Sequence, residues 1–190
     1  MFAKIEKKSD KIGTFGGIFQ TINFFRHLGL SELIDNTLKN RRFNAKYRPS
    51  EIVEELLANY CSGGTCIEDA NTFRTDTYTR GGYRFSSPDT IHKLFRENEV
   101  PDTVVVSDSG HKYNFNINAR LGDLLTALLR NFMVLFKQLI ARYFGSNIAE
   151  TSRMKRVVRN FMTVPFKWVV KGGQMWLRLY TDKPYDCLRL

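Results

Sequence analysis

Cysteine is scarce and odd in number. Three in 190 residues argue against a disulfide framework and point to a cytoplasmic chain with reduced thiols. Long apolar runs are missing as well. The longest is the five residues Phe132–Phe136, far short of the roughly 20 that cross a bilayer, so no membrane span is expected. The opening MFAKIEKKSDKIG is charged and has no apolar segment behind it, unlike a secretory signal. Acids thin out along the chain. Residues 1–104 hold 14 Asp/Glu against 15 Lys/Arg, whereas residues 105–190 hold five against 14. The net charge of +10 is therefore an excess of the second half, and a localised basic excess points to a polyanion, either nucleic acid or an anionic membrane face. No internal repeat is visible.

Metal and phosphate sites also lack their parts. Cys61 and Cys66 have four residues between them, and zinc would have to recruit His92 or His111 from distant segments to reach about four ligands. Ordinary buried thiols are expected instead. Gly63 and Gly64 follow a helical pattern with no lysine beside them, whereas a phosphate loop lies between a strand and a helix and carries one. Glu68 and Asp69 read as caps or first-turn charges of a short helix. Asp108 follows the strand-like Val104–Val106, a position where a carboxylate can hold Mg²⁺. However, Asp123, Glu150, Asp182 and Asp186 downstream lie on no strand pattern, and SDSG is an ordinary turn composition.

What is present is mostly helical periodicity. Phe15 to Leu38 reads as helix interrupted by Gly29, with Ser31 capping the second piece. After the basic loop KNRRFNAKYRPS, Ser50 is expected to cap EIVEELLANYC, whose glutamates suit the helix dipole. Ser87, Pro88 and Asp89 start another helix. Val104–Val106 and KYNFNI are the arms of a hairpin turning at Ser107–Gly110. From Ala119 the pattern is helical again, with Phe132, Leu135, Phe136, Leu139, Ile140 and Tyr143 on one face. GSNIAETS reads as a linker, and RMKRVVRNFM and PFKWVV…QMWLRLY as basic helices. The expected fold is mainly α: a helical region over 1–102, a hairpin and helix over 103–131, and a basic helical tail over 132–190.

Two surfaces are candidates for a polyanion. Thr90, His92, Lys93 and Arg96 cluster around the exposed side of one helix; after two earlier helices this allows a helix-turn-helix arrangement, although composition alone favours a plain surface helix of a small bundle. The stronger signal is Arg153, Lys155, Arg156, Arg159, Lys167 and Lys171, interleaved with Phe161, Phe166, Trp168 and Trp176. Such cations contact phosphates while aromatics anchor or stack. A solvated face over an aromatic core, or a helix lying on a membrane surface, has the same composition.

Three segments together resemble bacterial insertion-sequence transposases of the DDE type, in the branch named DDE transposase group 1. They are GGIF…LGLSELID (16–35) with GGTCIEDANT (63–72), then SSPDTIHKLF (86–95) with GHKYNFNINARLGDLLTALL (110–129), and finally MKRVVRNFMTVPFKWVV…LRLYTDKPYDCL (154–188). Gly63, Gly64, Cys66, Glu68 and Asp69 carry the family's marker motif. The resemblance implies DNA at transposon ends as the partner, with self-association or contact with an intact transposase copy, and no membrane. Intact members are much longer. Their RNase H-like core, with two Asp and one Glu holding Mg²⁺, lies between the second and third segments. Here LLTALLRN runs directly into FMVLFKQLIARYF, as if a deletion near Asn131–Phe132 had removed that core. The resemblance thus implies DNA binding with no catalytic residues and no metal in this chain. The alternatives are an active nuclease or transposase using an unrecognised carboxylate set such as Asp108 and Asp123, and a basic membrane-surface or protein-interaction module using 132–144 and 153–179.

Overall fold

The computed structural model describes residues 11–38, 45–98, 103–107, 109–110, 112–115, 117–144, 148–149 and 151–185. The chain is mainly α. In order, the elements are α1 (Gly17–His27), α2 (Leu30–Thr37), α3 (Pro49–Ser62), a 3-10 turn (Ile67–Arg74), α4 (Pro88–Glu97), β1 (Thr103–Val106), β2 (Lys112–Phe115), α5 (Ile117–Phe144), α6 (Met154–Val157) running into a π turn (Val158–Met162), β3 (Phe166–Lys171) and β4 (Gln174–Leu179). The strands form two separate antiparallel hairpins, β1–β2 and β3–β4.

The second hairpin corrects the sequence expectation, which made 165–180 helical. Val169, Val170 and the tryptophans favour a pleated surface. Gly172 and Gly173, with φ of +59° and +77°, supply the two left-handed residues of a tight hairpin turn. Helical periodicity of the basic residues was the wrong signal; the Gly-Gly pair between two apolar runs was the right one. The first hairpin lies where expected, with Thr103 opposite Phe115 and Val106 opposite Lys112. Asp108 and His111 lie outside the described residues.

One cluster of buried side chains draws on both the first and the third of the expected segments. Phe19 of α1 stands at its centre. Its ring centroid lies 4.7 Å from Tyr83, 4.9 Å from Phe166 and 5.3 Å from Trp168. A second group joins Phe24 and Phe25 of α1 to Phe132 and Phe136 of α5, and Phe136 in turn to Phe161. The backbone closes the same junction: Gly13 and Phe166 exchange hydrogen bonds of 2.9 Å, and the Gly16 N–H donates to Val164 O at 2.8 Å. Gly17 is required here. A Cβ on it would stand 2.2 Å from the Phe161 carbonyl oxygen, so only glycine lets α1 press against the π turn.

Helix α5 is continuous through Asn131–Phe132. Its buried line is Leu125, Phe132, Met133, Phe136, Ile140 and Phe144, while Leu135 and Tyr143, expected on that face, are exposed. The stretch Gly122–Phe144 is 23 residues long and contains an 18-residue window with a mean hydropathy of 1.5, long and apolar enough by length and composition to cross a membrane. Run length and mean hydropathy read this stretch differently because single polar residues such as Arg130 and Lys137 break the runs, and the core helix of a soluble protein passes the same test. The expected linker is anchored too, with Ile148 fully buried.

The helix starts differ from expectation in an instructive way. Ser31 lies inside α2, whose N-cap is Gly29, and its hydroxyl donates to Glu54 at 2.8 Å. Ser50 lies inside α3, capped by Arg48, and its N–H and hydroxyl both bond to Asp35, at 2.9 and 2.8 Å. The serines tie α2 to α3 instead of capping. Glu54 and Glu55, read as dipole partners, are buried. Glu54 takes a two-bond fork from Arg26 at 2.9 and 2.6 Å, which raises the already high guanidinium pKa. Glu55 accepts from the Ser86 N–H at 2.8 Å and its hydroxyl at 2.5 Å, and burial pushes its carboxyl pKa up.

Candidate nucleic-acid interface

Gly63, at φ +91°, ends α3. Gly64 packs against Asn59, leaving no room for a side chain. The chain then restarts as the 3-10 turn, and Asp69 closes its beginning by accepting from the N–H groups of Thr65 at 2.8 Å and Cys66 at 3.2 Å. Those amides hold the Asp69 carboxyl below the usual carboxylate range. Glu68 faces His92 of α4 at 3.6 Å. This segment is a helix stop with a capped restart, as its residue types suggest. The thiols differ from expectation: Cys61 is buried, with Sγ 3.6 Å from Met133 Sδ, whereas Cys66 is exposed. Among the described residues no three His, Cys, Asp or Glu side chains converge as metal ligands, and Asp123 is exposed on α5.

Helix α4 carries the first candidate surface. Ile91 and Leu94 are buried, and His92, Lys93 and Arg96 are exposed. Thr90 is half-buried, its hydroxyl 3.0 Å from that of the N-cap Ser87. His92 faces Glu68, and Lys93 stands 3.9 Å from Glu97, so acids adjoin two of the four candidate residues. Residues 63–87, with the 3-10 turn among them, separate α3 from α4. A helix-turn-helix joins its two helices through a turn of about three or four residues, so α3 and α4 are not such a pair.

The C-terminal surface is different. Between Thr151 and Thr181 there are seven Lys/Arg and no acid at all. In α6 and the π turn, Val157, Phe161 and Met162 enter the core while Arg153, Lys155, Arg156 and Arg159 remain exposed. Along β3–β4, strand register sets Lys167 opposite Arg178, Val169 opposite Trp176, and Lys171 opposite Gln174. Side chains alternate between faces along a strand, so these six share one face. The opposite face begins with Phe166 and Trp168, which pack on Phe19.

No family model, curated protein or solved structure matches the chain.

The structure thus separates residues that the sequence grouped. Phe161 and Phe166 are core. Trp168 is an anchor whose indole N–H donates to Thr77 O at 2.9 Å. Trp176 is 54% exposed. Arg178 was overlooked as a candidate because a helical reading does not bring it beside Lys167; the alternation KWVVKGGQMWLRL would have done so.

Proposed function

We propose that this chain is a transposase-related, DNA-binding protein of the insertion-sequence kind, acting in the cytoplasm without strand cleavage. The observation that carries the DNA-binding part is the acid-free run of residues 151–181, whose Arg153, Lys155, Arg156 and Arg159 are exposed on one short helical stretch. A polyanion gains from such a run because each phosphate neutralised releases a counterion. The transposase part rests on the three resembling segments, and the absence of cleavage on the missing core that the resemblance implies. In that reading the partners are transposon ends and a second copy or an intact transposase.

The test is a mobility-shift series on duplex DNA across salt concentrations. The binding constant should fall steeply with salt, with a log–log slope of about −4 if four phosphates are engaged. Absence of binding at low salt would sink the proposal. A second reading, a membrane-associated chain, draws on the length and hydropathy of Gly122–Phe144. Sedimentation with anionic and neutral vesicles separates the two: binding to neutral vesicles favours the membrane.

A further inference from the structure

The β3–β4 ribbon carries more than a share of the basic charge. On one face Trp176 is flanked along the ribbon by Lys171 and Gln174 on one side and by Lys167 and Arg178 on the other, with Val169 across the strand. One feature of this face is costly for the protein alone: Trp176, a large aromatic residue, is 54% exposed to water. The exposed Lys171 and Arg178 stand on the same face to either side of it. A ligand with an anionic backbone and flat apolar rings suits both.

The opposite face explains why the ribbon is held in place. Phe166 is fully buried, and Trp168 is bolted by its hydrogen bond to Thr77. The Gly172–Gly173 turn closes the far end tightly. The Trp176 face is therefore built before any ligand arrives, which lowers the ordering cost of binding.

We infer that this face is a platform for single-stranded DNA: the Trp176 indole stacks on an unpaired base, and Lys171 and Arg178 hold the phosphates on either side. A duplex hides the faces of its bases, so an exposed indole has nothing to stack on until a strand is unpaired. A membrane surface fits less well. Among the described residues of the ribbon, Val169 is the one aliphatic residue beside Trp176 on the cationic face, and the exposed Val170 and Met175 belong to the other face. The inference deepens the DNA-binding reading above and rests on it for the nature of the polyanion.

The experiment is titration of the full chain with oligo(dT) and, in parallel, with duplex DNA and phosphatidylserine vesicles. Tryptophan fluorescence should be quenched by oligo(dT), and Trp176→Phe should remove that quenching because the remaining Trp168 is anchored against the core. Trp176→Ala should weaken oligo(dT) binding about tenfold and duplex binding less than about twofold, with Trp176→Phe recovering much of the loss through its own ring. Lys171→Gln with Arg178→Gln should make the salt slope for single strands shallower by about 1.4. Unchanged oligo(dT) affinity in a folded Trp176→Ala chain, unquenched wild-type fluorescence, or a Trp176 response to vesicles alone would each overturn the inference. Duplex binding that survives while Trp176 proves irrelevant removes this inference only. Trp176-dependent oligo(dT) binding with no duplex binding removes the duplex reading instead.

Discussion

Between residues 11 and 97 four Lys/Arg side chains are answered by acids within the fold, Lys11 by Asp76, Arg26 by Glu54, Arg84 by Glu51 and Lys93 by Glu97, and His92 faces Glu68. Between residues 151 and 181 there are seven cations and no acid in the segment. Both regions contribute to one core, so the contrast is not between a folded and an unfolded part. In the first region charge is used to build, as in the Arg26–Glu54–Ser31 tie between α1, α2 and α3. In the second, apolar side chains do the building, and Arg153, Lys155, Arg156 and Arg159 face outward. Lysine and arginine counts alone would rank α4 and α6 as similar surfaces; their acidic neighbours set them apart.

The comparison requires the C-terminal region to be seated on α1, and Gly17→Ala is the strongest way to break it. The new Cβ would meet the Phe161 carbonyl oxygen at 2.2 Å and the Met162 Cα at 2.8 Å. These are backbone atoms, which cannot rotate aside, so a loss of about 3 kcal/mol or more is expected. Urea unfolding followed by circular dichroism measures it. A Gly17→Ala chain of unchanged stability would mean that the contact between α1 and the π turn is not made.

Next in size is the charge contrast itself. Replacing Arg153, Lys155, Arg156 and Arg159 together by Gln should weaken duplex binding by about 100-fold at moderate salt and flatten the salt slope by about 3 to 4. Replacing His92, Lys93 and Arg96 by Gln should cost about threefold or less, because acids adjoin His92 and Lys93. Equal losses from the two sets would erase the distinction and restore α4 as a DNA surface.

Much of the fold was legible where a local rule and tertiary packing agree. The Ser87–Pro88 start of α4, the glycine stops of α1 and α3, and the first hairpin all follow from residue types at fixed offsets. Ser31 and Ser50 looked like caps, but their hydroxyls were claimed by Glu54 and Asp35 from other elements, and no local window contains that partner. Glu55 looked like a dipole charge and is a buried acceptor for Ser86, 31 residues away. At the candidate site the basic residues were visible, but Trp168 and Trp176 were indistinguishable until strand register put them on opposite faces.

The acid side of the contrast can be sharpened through Glu55. Burial raises its folded pKa above the ordinary 4.5. As pH rises past 4.5, the unfolded chain ionises first, so this residue favours folding most at low pH and loses that contribution as pH climbs through the raised folded value. Glu55→Gln keeps an oxygen for Ser86 and cannot ionise, so the decline of stability across that window should become shallower. Urea unfolding at a series of pH values measures the slope; an unchanged slope would assign the decline to other groups.

Asp69 should behave in the opposite sense, and with the smallest effect. It is exposed, and the Thr65 and Cys66 amides hold its pKa below the usual 3.8. The unfolded chain therefore takes up a proton before the folded chain does. Its contribution is present above pH 3.8 and is lost as pH falls through the depressed folded value. Asp69→Asn should weaken the restart after Gly64 at neutral pH and remove that acid-side loss, while leaving duplex binding untouched, since its two amide partners lie within the marker segment. Hydrogen exchange at the Thr65 and Cys66 amides reads the effect directly: faster exchange at neutral pH confirms the cap. If exchange stays slow and DNA binding falls instead, the marker segment belongs to the interface, and the line between building charge and outward charge would have to be redrawn around it.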